Sequence, residues 1–300
     1  WPLLIIVVGQ TFVLGIAGID LAQTAVINVT NTFAALLVVQ MLPAELWQDS
    51  VFWGSVIGGE GGVLSGWGGG GAVLAMLLAI VLGATIGAVN GLAVARLGMP
   101  PFMVTLGTLL LFNAIAIWMT RSENVSSLPA EYVAVGQAQI WGAVTVPMVI
   151  AVIIAVSAHF VLSRTTLGSW LYAAGSNRQA AIISGVPYTR VVISAYMISA
   201  ALASVGGILY SARLEGGRPT LADGFLLDII GAAVIGGISL FGGKGTVLGA
   251  VLGAVFFVVL ANGLNLLNLP FTVVFIIKGI VIILAALLDV ARTKLLGDTR

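Results

Sequence analysis

The sequence predicts an all-α polytopic membrane protein, a single transmembrane domain over residues 1–300 with nine spans. Three observations predict it. First, 60% of the chain is hydrophobic and 8% is charged, against about 25% charged in soluble domains. A soluble protein of this length needs far more charge to cover its surface. Second, apolar stretches of span length recur from end to end, separated by short polar or glycine-rich segments. Third, the charges sort by connection, a pattern that the formal net charge of +1 conceals. No basic run with interleaved aromatics supports a nucleic-acid partner. The absence of cysteine excludes disulfides, thiolate nucleophiles and cysteine-based metal sites, and it fits a bacterial inner membrane.

The spans, at about 17 to 25 residues each, can be taken in order. Residues 2–19 form the first. The chain begins at Trp1 and enters this run without a basic leader or a small-residue cleavage site, so it does not read as a signal peptide. Residues upstream, a further span among them, are expected to be missing. Residues 21–42 follow, meeting the first span at Asp20 with almost no loop. The glycine-dense stretch 50–71 (GGEGG, WGGGG) reads as an external loop or half-helix cap. Span 72–95 carries Gly83, Gly87 and Gly91 at every fourth position, a spacing that lets backbones approach closely in lipid. Span 102–120 precedes a polar external segment, 122–142, with Trp141 as interfacial anchor. Span 144–162 leads into the long polar loop 164–190, and span 191–212 leaves it. Segments 225–240 and 246–261 are short and glycine-rich, with Gly249 and Gly253 again four apart. They could be tilted, broken or re-entrant, which protein or a water-filled path must then surround. Span 271–288 is the last.

The charges orient this array. Loop 164–190 holds Arg164, Arg178 and Arg190 and no Asp or Glu, so it lies on the cytoplasmic side. Nine spans then put Arg96, Lys244 and a tail with Arg292, Lys294 and Arg300 on the same side. The opposite side receives Glu45, Asp49, Glu60, Glu123, Glu131, Glu215 and Asp223, with Arg121, Arg213 and Arg218 as its bases. The C-terminus is cytoplasmic in this arrangement and Trp1 is outside. One more span before it would give about ten in all.

Within the basic loop, Gly175-Ser176-Asn177 is a breaker-plus-cap signal. Residues 178–184 can make about two helical turns, and Gly185 stops them before Pro187, which cannot continue a helix. A short helix shown to the cytoplasm between two spans is a docking surface.

Polar residues at membrane depth are Asn28, Asn31, Asn90, Asn113, Asn262, Asn265, Asp228 and Lys278. Some could line a path for a hydrogen-bonding solute, and each could instead fix packing by interhelical bonding. Lys278 must pair, snorkel or touch water, and Asp228 is a candidate partner. There is no catalytic constellation. His159 is the only histidine, near a span end, and no Ser or Thr has a base beside it. The run Gly242-Gly243-Lys244-Gly245-Thr246 is not a Walker A loop. Position 238 is Ile where the first glycine is needed, and Gly245 stands where Ser or Thr is needed.

Taken together, several stretches resemble one family: the permease subunits of ribose/xylose/galactose-type ABC sugar importers, whose wider family includes branched-chain amino-acid permeases. The stretches are GIAGIDLA (15–22), NGLAVARLGMPPFMVTLGT (90–108), YAAGSNRQAAIISGVP (172–187), the long run 194–254 that includes GGISLFGGKGTVLGA, ANGLNLL (261–267) and IIKGIVIILAALLD (276–289). The resemblance covers nearly the whole chain, from the family's second span. It implies a type II-like importer membrane domain of about ten helices, paired with a second permease subunit as a homo- or heterodimer. Cytoplasmic ATPase subunits, which bind the ATP and Mg²⁺, and an external solute-binding protein complete the assembly it implies. The family's coupling helix maps onto 176–185, so the residues expected to engage the ATPase are Gly175, Ser176, Asn177, Arg178, Gln179, Ala180, Ser184 and Gly185. Many relatives carry an acid where this chain has Arg178, which bears on which ATPase is accepted. The expected function is ATP-driven import of a small polar solute, a monosaccharide, along a path lined by Asn90, Asn113, Asp228, Asn262, Asn265 and Lys278. The alternative is an ion-gradient-driven secondary transporter, which needs mid-membrane acids. Asp228 is the residue that meets that need here.

Overall fold

A computed structural model describes residues 1–42, 57–58 and 61–295. Glu45, Asp49, Glu60, Arg300 and part of the glycine-dense stretch lie outside the described residues. Twelve α-helices are described: α1 (Pro2–Gly15), α2 (Gln23–Val38), α3 (Gly68–Arg96), α4 (Pro101–Thr120), α5 (Ala130–Gln137), α6 (Val146–Arg164), α7 (Thr166–Ser176), α8 (Arg178–Ile183), α9 (Tyr188–Arg213), α10 (Phe225–Ile235), α11 (Val247–Leu266) and α12 (Phe271–Leu295). Two antiparallel strand pairs are very short: β1 (Ile57–Gly58) with β2 (Gly61–Gly62), and β3 (Gln139–Trp141) with β4 (Val144–Thr145).

Helices α3, with the 3₁₀ turn before it, α4, α6, α9 and α11 are long and apolar enough to cross a membrane. The segments at 2–19, 21–42 and 225–240 are shorter apolar helices, as is the 271–287 part of α12. α1 has 14 residues, α2 has 16 and α10 has 11. The 20-residue α11 runs past the expected 246–261 segment. The reason for the short α1 is local. Gly18 N–H donates to the Val13 carbonyl and Ala17 N–H to that of Leu14, with Ala17 in the left-handed region at φ 58°. This is a Schellman stop closed on an alanine in place of the usual glycine, and it turns the chain before a full span is complete.

The core is the inner trio α1, α2 and α9. Every residue of α1 is buried, and α9 packs on α3, α1 and α2. The long helices around it present apolar side chains outward, such as Leu77, Val81 and Val89 on α3 and Leu110 and Leu111 on α4. In lipid such faces need no protein cover. The α3–α9 seam explains the glycine ladder. A Cβ at Gly91 would sit 2.7 Å from Ile193 Cα and one at Gly87 2.8 Å from Ala200 Cβ, and one at Gly83 would strike the Ser204 hydroxyl. Gly249 and Gly253 do the same for α10 and α11, meeting Gly236 and the Ala232 carbonyl.

α10 starts at Gly224, in the left-handed region at φ 91°, and ends before Gly237 at φ 76°. At about 1.5 Å per residue it reaches roughly halfway through a bilayer core, and the backbone after it is irregular. Of the tilted, broken and re-entrant forms open to the 225–240 segment, the structure has a broken one. The segment 122–142, expected only to be polar, contains α5 and most of the β3–β4 hairpin. It is tied to the loop after α9 by the Val125–Gly217 bridge and to α9 itself by Tyr132 Oη and Ser211 Oγ, 2.7 Å apart.

Candidate functional site

Within the basic loop, α8 forms where Asn177 and Gly185 suggest, while 166–176, expected to be loop, folds as the eleven-residue α7. The side-chain oxygen of Asn177 accepts from Ala180 N–H at 3.0 Å and caps α8. At the other end Val186 N–H donates to the Ala181 carbonyl and Gly185 N–H to that of Ile182, both at 3.0 Å, with Gly185 at φ 84°. The six-residue helix is thus capped at the start and Schellman-stopped at the end. Arg178, Gln179, Ala180, Ser184 and Gly185 are exposed, as are Ile182 and, at 86%, Ile183. A groove of about 450 Å³ runs beside α8, with Arg178, Ile182, Val186 and Arg190 on its walls. The Arg178 guanidinium lies over the Tyr188 ring, 4.6 Å from its centroid, and this stacking holds the long side chain in place.

Gly175 and Ser176 correct the expected boundary. They are the last residues of α7, which ends where Asn177 turns to extended backbone (φ −156°). Gly175 is buried: a Cβ there would run into the Gly15 carbonyl and come within 2.8 Å of Gly243 N. The small residue is therefore needed for the close approach of α7 to α1 and the glycine turn. Gly243 N–H donates to the Gly15 carbonyl at 3.1 Å, and the Tyr172 hydroxyl donates to the Gly245 carbonyl at 2.8 Å. So α7 rests on the end of α1 and on the glycine turn 242–245.

The polar residues at membrane depth fall into separate places. Asn90, 2% exposed, accepts from the Thr108 hydroxyl at 2.6 Å and joins α3 to α4. Asn113 accepts from Asn28, whose amide nitrogen also reaches Asp223 Oδ1, each at 3.1 Å. Asn28 Oδ1 accepts from Ala222 N–H, and Asn31 bonds both backbone groups of Arg218. Asn28 and Asn31 therefore pin the loop after α9 onto α2. Asp228 and Lys278 meet in an ion pair, with Nζ 2.7 Å from Oδ1 and 2.9 Å from Oδ2. Asn262 and Asn265 are exposed on α11, and no hydrogen bond joins either to the other four expected path residues.

Two features had little sequence signal. Asp20, 2% exposed, accepts from Ala22 N–H at 3.0 Å and from the Ser199 hydroxyl at 2.8 Å, and Ser199 accepts from Gln23 Nε2 at 2.9 Å. This fully buried network fastens the α1–α2 junction to α9. The other is a cavity of about 550 Å³ between the end of α9, the following loop and the start of α10. Asn124, Arg213, Arg218 and Thr220 surround it, together with the Tyr210 and Phe225 rings, whose centroids are 5.3 Å apart.

Comparison with known proteins bears on what this scaffold is. No solved structure matches the chain. The ribose import permease of Escherichia coli (strain K12) is 33% identical over 293 residues, covering 95% of this chain and 81% of the relative. The ribose import permease of Bacillus subtilis (strain 168) is 32% identical over 287 residues, covering 95% and 80%. The D-allose transport system permease of Escherichia coli (strain K12) is 30% identical over 283 residues, covering 94% and 78%. A mostly helical chain with a buried inner trio and apolar outer faces, matched over residues 1–286 by the model for branched-chain amino acid transport system permease components, belongs to that family of multi-pass membrane permeases.

Proposed function

We propose that this chain is the membrane subunit of an ATP-driven importer and that its solute is a monosaccharide. The relatives named for ribose and D-allose import support the substrate class. Two copies, or this chain and a second permease, pair in a bacterial inner membrane with the C-terminus cytoplasmic. The nine apolar segments of the single domain 1–300 cross or enter the membrane, and an external binding protein delivers the sugar.

The observation that carries the coupling role is α8: a helix capped by Asn177 and stopped by Gly185, with Ile182 and Ile183 on its outside. Exposed isoleucines beside Arg178 and Arg190 suit a partner groove that is apolar within and acidic at its rim. Cytoplasmic ATPase subunits that close on ATP, with its Mg²⁺, would press on loop 164–190. A partner can shift the permease between two packings only by binding them with different affinity. Helices then move as near-rigid bodies. Asp228, the acid that an ion-driven mechanism would use, is already paired with Lys278.

The test is co-purification with a co-expressed partner ABC ATPase, comparing the wild-type chain with one whose residues 176–185 are scrambled. The wild type is expected to retain the ATPase and the scrambled chain to lose it. Equal retention would remove α8 from the coupling role. Sugar uptake by sealed vesicles without ATP would favour the ion-driven reading.

A further inference from the structure

The cavity at the end of α9 is electropositive and holds no counter-ion of its own. Arg213 is the last residue of α9, which is long enough to cross the membrane, so the cavity lies at a membrane boundary, at the opposite end of α9 from α8. Backbone contacts build it. Val125 and Gly217 exchange two hydrogen bonds of 2.8 Å, which sets Asn124 beside the loop after α9, and Asn31 bonds both backbone groups of Arg218. Asn124, Arg213, Arg218 and Thr220 thus bring side-chain donors to about 550 Å³. Phe225 opens α10, whose N-terminus has no side-chain cap and carries positive partial charge. The neighbouring acids are engaged elsewhere: Asp223 accepts from Asn28, Glu215 accepts from Gln137, and Asp228 is paired with Lys278. Among the described residues no carboxylate lines the cavity, and neither guanidinium has a hydrogen bond or an ion pair.

This set of groups selects a ligand class. Two guanidinium forks with an amide and a hydroxyl suit an oxyanion with several acceptor oxygens, as a phosphate has. A headgroup carrying an ammonium would find no carboxylate to receive it. The rest of the wall is apolar, formed by Tyr210, Leu214, Leu221 and Phe225. A free ion leaves that wall unused, whereas the glycerol and upper acyl chain of a lipid cover it. We infer that this cavity binds the phosphodiester of an anionic phospholipid, with Arg213 and Arg218 on its oxygens and the lipid neck along Leu221 and Phe225. A basic pocket between membrane helices holds an anionic headgroup by the same attraction. The inference goes beyond the importer reading and does not depend on it.

The experiment takes the full chain, purified in mild detergent and stripped of lipid, and reads its thermal midpoint during titration. The probes are short-chain phosphatidylglycerol, short-chain phosphatidylcholine and inorganic phosphate. Phosphatidylglycerol should raise the midpoint, and the other two should leave it in place. Arg218→Gln should weaken the apparent affinity for phosphatidylglycerol about tenfold, as loss of one charge-assisted contact does. The lipid-free midpoint should not change, because the guanidinium holds no other group. Arg213→Gln is the second variant, with the same expectation. Arg121→Gln removes an exposed arginine on the same side of the membrane but outside the cavity, and should keep wild-type affinity. Equal shifts from the two lipids, or affinities in Arg218→Gln and Arg213→Gln equal to that of Arg121→Gln, overturn the site. A shift from inorganic phosphate as large as that from phosphatidylglycerol overturns the lipid as its ligand. If phosphatidylglycerol leaves the midpoint unmoved and Arg218→Gln weakens capture of an external binding protein, the cavity takes a protein carboxylate and the inference falls.

Discussion

Replacing Lys278 with methionine tests what the ion pair does for the fold. The pair is close, at 2.7 and 2.9 Å, and its side chains are only 9% and 16% exposed. With an effective dielectric of about 20, charges at this separation attract by about 6 kcal/mol. Much of that offsets the desolvation of two buried ions. The Lys278→Met change keeps the volume and leaves Asp228 charged and alone, at a cost of roughly 3–5 kcal/mol. The residual exposure of Asp228 places the cost near the lower end, about 3 kcal/mol. For a chain of this size about 2 °C is lost per kcal/mol, so the apparent midpoint of detergent-solubilised protein should fall by about 6 °C. Tryptophan fluorescence at one fixed scan rate reads it, since such unfolding is commonly irreversible. The control is Asp228→Leu with Lys278→Met, which removes both charges and should recover all but about 1 kcal/mol. If the double variant is as damaged as the sum of the singles, the two residues do not act as a pair and the reasoning fails.

Three further outcomes follow from the same geometry. Gly87→Leu should prevent α3 and α9 from seating, because even a Cβ there is 2.8 Å from Ala200 Cβ. The measure is the yield of monodisperse protein, which should collapse for Gly87→Leu and hold for Gly107→Leu, where a Cβ meets nothing within 4 Å. Asn177→Ala removes the α8 cap at a cost of about 1 kcal/mol, so amide exchange of residues 180–183 should speed up about fivefold, and unchanged exchange would show the cap to be idle. Gly185→Pro forces φ from 84° to about −65°, and Arg178→Glu reverses the charge beside Ile182. Both should uncouple ATP hydrolysis from uptake without loss from the membrane, and normal uptake would count against the docking role.

What could be read in the sequence, and what could not, divides by the range of the interaction. The α8 boundaries were legible because Asn177, Gly185 and Pro187 act within one or two turns of themselves. The glycine ladder 83–87–91 announced a close contact, but not that α9 is the partner. The 2–19 segment looked like a full span because its stop uses Ala17, which has no sequence signature as a left-handed residue. Lys278 declared that it needed a partner, and Asp228 could be named, but a separation of 50 residues left the distance open. The Asp20–Ser199 bond spans 179 residues, and the chain between them holds no local trace of it. Asn262 and Asn265 had the same composition signal as Asn90, yet they face outward. Periodicity reports an apolar surround and not which side of a helix meets protein.

The proposed coupling has a short physical route through this fold. α8 is joined to α7 by the single extended residue Asn177, so a load on α8 passes directly into α7. Beyond the side-chain packing of Leu171, α7 makes direct backbone contact at its end. Gly175 meets the carbonyl end of α1, and the same carbonyl holds Gly243 of the glycine turn by a hydrogen bond. Backbone in contact with backbone transmits displacement with little loss, because packed interiors resist compression. Both elements reached are among the helices shorter than a full span. α1 stops at Ala17 and is followed by the Asp20 junction, and α10 stops at Gly236 before the turn that contains Gly243. At the far end of α10 are Phe225 and the Asp228–Lys278 pair. α10 is half-length and packs on α1, α11 and α12, with glycine seams toward α11 and one ion pair toward α12. In the proposed coupling, α8 and the cavity at Phe225 bear on opposite ends of the same half-helix, as coupling between distant sites requires: one element whose position both ends bias.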